Sequence, residues 1–187
     1  KPLKGLSILD IGCGGGLISE PLCRLGATVT AIDAGEEAVG VAKAHAEREG
    51  LEINFRNVLP EVLAKEGQQF DVVVSLEVIE HVADVNAFLA ALSGLVKPGG
   101  AIILATLNRT IKSLALAKIG AEYILRWVPP GTHDWKKFVK PSEMTNGLRP
   151  HGVTLRAMRG IGFNPVKDEW FLCDDTDVNY LAYFTKE

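Results

Sequence analysis

Up to residue 105 the chain alternates two kinds of hydrophobic run, and this alternation constrains its fold more than any other feature. Short apolar stretches read as buried strands: Ser7–Ile11, Thr28–Ile32, Ile53–Arg56, Phe70–Leu76 and the AIILA of residues 101–105. Between them lie segments with helical spacing. Leu17, Ile18, Leu22 and Leu25 recur on one face and stop at Gly26, and alanine-rich Glu36–Glu49 stops at Gly50. A brief helix is expected over Leu59–Glu66. Asp84 is placed to cap another, whose apolar face is Val85, Phe88, Leu89, Leu92 and Val96. This repetition predicts an open parallel sheet with helices on both faces. Beyond residue 105 the rhythm breaks into an irregular insertion over 106–141, a short helix near Ser142–Leu148, a strand near Val153–Arg159 and a last strand, Asn179–Thr185. The expectation is an α/β fold of seven strands, mostly parallel with the last antiparallel, in one domain over 1–187.

Bulk properties exclude several classes of function. A net charge of −3 disfavours a general nucleic-acid binder. Cys13, Cys23 and Cys173 form no C-x-x-C pair and leave an odd count, which suits a reducing cytoplasm without disulfides or structural zinc. No run reaches the ~18 apolar residues of a membrane span, and no signal peptide opens the chain. It begins three residues before a turn and a strand, so a preceding segment is expected.

The first strand runs into Asp10-Ile11-Gly12-Cys13-Gly14-Gly15-Gly16. Consecutive glycines let backbone approach a ligand closely near a helix N-terminus. Asp33 lies 21 residues beyond Gly12 at the end of the second strand, where a carboxylate can accept from ribose hydroxyls. A nicotinamide dinucleotide would use similar features, but Leu17 stands where the G-x-G-x-x-G fingerprint wants glycine. Asp10 is also awkward beside a pyrophosphate and welcome beside an ammonium or sulfonium. S-adenosylmethionine, with its ribose, adenine and cationic tail, fits both the loop and the extra acid.

Four stretches in order, LDIGCGGG, AID, FDVVVSLEVIEHV and LVKPGGAIIL, resemble the successive motifs of class I S-adenosylmethionine-dependent methyltransferases, which have a Rossmann-like fold. Further on, ATLNRT, GAEYILRWVP, GTHDWKKFVKP and DVNYL resemble the ubiquinone-biosynthesis O-methyltransferases, which act on catechol-type polyprenyl intermediates, over essentially the whole chain. The resemblance implies S-adenosylmethionine contacts at Gly12, Asp33 and the backbone of Leu76, with Asp10 and Gly14 in the same loop and Asn57 and Val58 bordering the adenine. It also implies an N-terminal helical segment bearing an arginine for S-adenosylmethionine, which this chain starts after.

Glu77, Glu80 and His81 stand at i, i+3 and i+4, so a helical turn would gather them on one side where the fourth strand surfaces. One reading makes them ligands of a divalent cation that grips a catechol's two oxygens and lowers a phenol pKa from near ~10. The resemblance implies magnesium, although an imidazole suits zinc, manganese or iron better. The other reading has Glu80 and His81 shaping the loop, with Glu77 near the sulfonium or solvent. His81 is also a candidate general base.

Between Thr106 and Pro141 the charges are lopsided, +5 against −8 for the remainder. The stretch IKSLALAKIGAEYILRWV is expected to be a helix with a wide apolar face fringed by Lys118, Arg126 and Trp127. Such a helix can lie in a membrane interface, and the resemblance implies a polyprenyl substrate resident in the bilayer. A substrate lid docked on the inner membrane is one expectation; packing on the domain or mediating a homodimer is the other. His133 beside Asp134 is a candidate general base for the phenol, or a residue that fixes the loop, while His45 and His151 read as ordinary surface residues. A base methyltransferase for nucleic acid is disfavoured because LEVIEH lacks an N-P-P-aromatic motif. A noncatalytic scaffold of a quinone-synthesis complex would have lost the glycine loop and Asp33. A small-molecule methyltransferase of another pathway remains the further alternative.

Overall fold

The computed structural model describes residues 1–116, 134–164 and 167–187. Five strands form its parallel half: β1 (Ser7–Ile11), β2 (Thr28–Asp33), β3 (Ile53–Asn57), β4 (Phe70–Leu76) and β5 (Val96–Leu107). Helices α1 (Ser19–Arg24), α2 (Glu36–Arg48), α3 (Pro60–Lys65) and α4 (Val85–Leu95) connect them. Three more strands follow: β6 (Val153–Asn164), β7 (Glu169–Cys173) and β8 (Asn179–Lys186), giving the order β3-β2-β1-β4-β5-β8-β6-β7. The chain winds from β1 outward to β3, then returns to place β4 on the other side of β1. A crevice therefore opens beyond the carboxyl ends of β1 and β4, where the winding reverses.

Alternation along the strands sends side chains to opposite faces. Leu9, Ile11, Val73, Ile102 and Leu104 pack with Phe88 and Leu92 of α4 and Met144 of α6 (Pro141–Leu148). On the other face Ile8, Val29, Ala31 and Val74 meet Leu22 and Phe55. Asp84 caps α4 as expected, accepting from Ala87 N–H at 3.0 Å. At the far end of α4 the Lys186 ammonium donates to the Ser93 and Val96 carbonyls at 2.7 and 3.1 Å.

The structure adds an eighth strand to the seven expected. β7 is invisible to a period-two reading because Trp170, Phe171 and Leu172 are all apolar and all exposed. β8 lies antiparallel between β5 and β6. α1 starts later than its leucine pattern suggests: Leu17 precedes it at 85% exposure, and the helix buries Ser19 and Glu20 instead. His45 is more than a surface residue, because its Nδ1 hydrogen-bonds the Glu20 carboxylate, which also meets Arg24 at 3.1 Å.

Both ends of the insertion are anchored. The Asn108 side-chain amide donates to the Thr176 carbonyl at 2.9 Å, and its N–H donates to Val178 at 2.9 Å. Thr110 caps a short helical turn, α5 (Ile111–Ser113), and accepts through its carbonyl from Trp135 Nε1 at 2.8 Å. From residue 117 onward the expected amphipathic helix, including Lys118, Arg126 and Trp127, lies outside the described residues.

At the opposite end of the sheet the Asp71 carboxylate ties three strands together. It accepts from the Ser7 N–H and hydroxyl at 2.8 and 2.6 Å and from the Lys97 ammonium at 2.8 Å. The Lys97 and Ser7 bonds hold its carboxyl well below the usual carboxylate range. A depressed folded-state pKa stabilises above the unfolded pKa, and that stabilisation is lost as pH falls. Asp71→Asn is expected to lower unfolding free energy at pH 7 by on the order of 1 kcal/mol, since both partners reach solvent. Urea titrations should find the gap from the parent closing as pH falls below about 4.

Candidate functional site

The glycine loop is fastened to the end of β2. Gly12 and Cys13 N–H groups both donate to the Ile32 carbonyl, at 2.8 and 3.1 Å, and Gly14 N–H donates to one Asp33 carboxylate oxygen at 2.9 Å. Gly35 N–H donates to the other oxygen at 2.8 Å. These loop amides are therefore already engaged, and the loop serves as a shaped wall more than as a row of free donors. Gly12 has φ +75°, and a Cβ there would lie 2.2 Å from Val78 Cγ2, so both conformation and close approach require glycine.

The crevice encloses about 570 Å³. Gly12 and Asp33 line it, with Ile32, Val58, Leu59 and Pro60 along one side and Glu77, Val78 and His81 at another. This volume falls within the range of small-molecule sites. Asn57 is not among the lining residues; its side chain donates to the Asp33 carbonyl at 2.9 Å and so positions Asp33. Leu76 ends β4 and packs against the second apolar cluster, leaving Glu77 and Val78 to face the crevice.

Asp10 sits behind the loop and is 2% exposed, accepting from the Ser19 hydroxyl at 2.6 Å. Burial raises its pKa, the Ser19 bond partly offsets this, and the Asp33 charge adds to it. Burial also pushes the Cys13 thiol up to about 12, so it is no nucleophile.

The helical turn expected over Glu77, Glu80 and His81 does not form. Glu77 takes φ +57°, rare for a residue with a side chain, and Ile79–His81 is a single 3-10 turn. Glu80 points inward, 3% exposed, with Oε2 accepting from the Thr106 hydroxyl at 2.8 Å and Oε1 buried beside the Glu77 carboxyl. Glu77 opens onto the crevice, where enclosure by protein and then the neighbouring Glu80 charge raise its carboxyl to about 8. His81 is exposed on the same crevice. Among the described residues no three His, Cys, Asp or Glu side chains are arranged to hold a metal, so the three-ligand set is not assembled. His133 lies outside the described residues. Val78, Thr106 and Ser19 are the site's unforeseen members: each is fixed by a long-range contact that no local pattern announces.

Gly12→Ala should strain a left-handed position and drive a methyl into Val78. The expected cost is about 1–2 kcal/mol of stability. S-adenosylmethionine affinity by calorimetry should fall at least tenfold, and unchanged binding would remove this loop from the site.

Comparison with known proteins agrees with this geometry. Residues 9–104 match the family model described as a methyltransferase domain. A ubiquinone biosynthesis O-methyltransferase of Caulobacter vibrioides is 54% identical over 187 residues, covering 100% of this chain and 74% of that protein. One from Paramagnetospirillum magneticum is 53% identical over 186 residues, covering 100% of this chain and 74% of its own. Among solved structures, a magnesium protoporphyrin IX methyltransferase from Synechocystis PCC 6803, with bound S-adenosylhomocysteine, superposes with a TM-score of 0.70 at 23% identity, over 99% of this chain and 75% of the other. A methyltransferase of Methanosarcina mazei gives 0.72 at 20% identity, over 97% and 92%. The sheet order, the glycine loop held against Asp33 and these full-length relatives agree: the chain belongs to the ubiquinone biosynthesis O-methyltransferase family.

Proposed function

We propose that this chain transfers the methyl group of S-adenosylmethionine to a catechol oxygen of a polyprenyl-substituted ring, acting on 2-polyprenyl-6-hydroxyphenol and 3-demethylubiquinol in ubiquinone synthesis. The observation that carries the reading is one crevice with the Gly12–Asp33 wall along it and Glu77 and His81 on its lining. S-adenosylmethionine supplies an electrophilic methyl on a sulfonium. Asp33, held by Gly14 and Gly35, retains lone pairs for ribose hydroxyls. Ile32, Val58, Leu59 and Pro60 offer an apolar slot suited to adenine. His81, exposed on the lining of the crevice, is the imidazole that takes the acceptor hydroxyl's proton in this reading.

Glu77 and Glu80 are the residues that would hold a divalent cation. What supports this is the close pair of carboxyls, Glu80 buried and Glu77 raised by enclosure and by its neighbour, an arrangement that a bound cation would relieve. Two carboxylates suit magnesium's preference for oxygen, and a cation there would supply Lewis-acid help in ionising the phenol. His81 as a third ligand would require the loop to rearrange.

Turnover of a short-chain catechol analogue should fall at least tenfold with chelator and recover with Mg²⁺. Glu80→Gln should lose both rate and calorimetric heat of Mg²⁺ binding. Full rate in chelator together with full rate in Glu80→Gln would end the cation reading while leaving methyl transfer intact.

We also propose that the protein works as one domain in the cytoplasm, with segment 106–141 against the inner membrane. No helix among the described residues is long and apolar enough to cross a membrane. Among the segment's described cations, Arg109 pairs with Glu143 and Lys112 with Asp175. Lys136, Lys137 and Lys140 remain exposed. Flotation with anionic vesicles at low salt should carry the protein upward and lose it at high salt; failure to float would retire membrane docking.

A further inference from the structure

The two edges of the sheet are built differently. β3 is guarded: Asn54 and Asn57 are exposed, and Arg56 forms a two-pronged bond to Glu66 at 2.7 and 2.7 Å. β7 carries no charge between Glu169 and Asp174, no proline and no bulge in its pairing to β6. Its centre is Trp170, Phe171 and Leu172, at 65, 47 and 62% exposure. Phe163 packs on Trp170 with ring centroids 4.8 Å apart, and Phe171 lies over Gly162, so both faces of the hairpin are apolar. Sheet edges left this bare pair with another strand unless something covers them.

We propose that β7 is a self-association edge, through which two copies of this chain pair antiparallel about a two-fold axis at Phe171. Opposed residues in an antiparallel pair share a face, so a dyad must set one residue of β7 against itself. Centred on Phe171, the register sets Trp170 of each copy against Leu172 of the other, twice on one face. The two Phe171 rings meet on the other face. Lys167 then falls opposite Asp175 and Asp168 opposite Asp174, and three of these charges are already met within their own chain: Lys167 by Glu169, Asp175 by Lys112 and Asp174 by Arg159. The edge is thus complementary to itself in its apolar residues, with most of the flanking charge neutralised inside each copy.

A lipid surface fits the same residues less well. Residues 153–178 hold three basic and five acidic side chains, so an anionic bilayer would repel the hairpin. The exposed parts of the three apolar side chains amount to on the order of 300 Å² per copy. That is less than the about 800 Å² per partner of a stable complex. The dimer is therefore expected to be reversible and to form in the micromolar range. This inference is independent of the methyl-transfer reading, because β7 is not among the residues lining the crevice.

Sedimentation equilibrium on the 187-residue chain tests it. The 20.2 kDa monomer should convert to twice that mass as concentration rises through the micromolar range. Leu172→Lys, at an exposed position, should raise the dissociation constant at least tenfold with the thermal midpoint unchanged. Asn54→Lys on the opposite edge should leave the dimer intact. A protein monomeric at every concentration overturns the proposal, as does a dimer that Leu172→Lys leaves unaltered. A monomer whose tryptophan fluorescence shifts to the blue on adding neutral phosphatidylcholine vesicles, with the shift lost in Leu172→Lys, also overturns it and makes lipid the covering partner.

Discussion

The carboxylate of Asp33 joins two turns that would otherwise be independent. One oxygen holds Gly14 of the loop after β1, the other holds Gly35 at the entry to α2, and Asn57 steadies the same residue from β3. Ile32 adds a carbonyl that takes two more loop amides. Three parallel strands thus fix the wall of the crevice by hydrogen bonds among their own ends. The ligand meets a surface already ordered, so binding carries little cost of arranging the loop. Glycine is needed at position 12 because Val78, arriving from β4, closes on it from the other side.

Carboxyl groups are concentrated around this crevice against the usual preference of buried groups. Asp10 lies beneath the loop and Glu80 beneath the mouth, each largely removed from water and each bonded to a hydroxyl, of Ser19 and Thr106 respectively. Isolated buried carboxylates are costly, and both stand near a second acid, Asp33 and Glu77. Such an arrangement favours cationic guests over phosphates, which is the electrostatic character a sulfonium donor requires.

The parallel half of the fold was legible because its strands are short apolar runs bounded by glycine, and because Asp84 marks its helix in the ordinary way. The glycine loop and Asp33 stand at the ends of β1 and β2, where their spacing put them, and are bonded to each other. The carboxylate–histidine cluster was misread as one helical face, since nothing local announces that Glu77 turns left-handed while Thr106, 26 residues on, draws Glu80 inward. Asn57 was expected to border the adenine, and spacing gave no sign that its side chain would also tie the end of β3 to the Asp33 carbonyl. β7 escaped notice because an apolar run exposed on both sides has no alternation to detect. Local pattern thus reported elements well, and contacts between distant residues decided which side chains face the crevice.

Lys186 sets a constraint on how the protein can be handled. Its ammonium sits against the carbonyls where α4 gives way to β5, and Glu187 N–H reaches back to the Gly152 carbonyl at 2.9 Å. Lys186 is thus a structural peg. An affinity tag or fused partner joined directly behind it would pull on that peg, whereas a flexible spacer would leave it seated. Trimming these two positions would open the seam between helix and sheet on the face that backs the crevice.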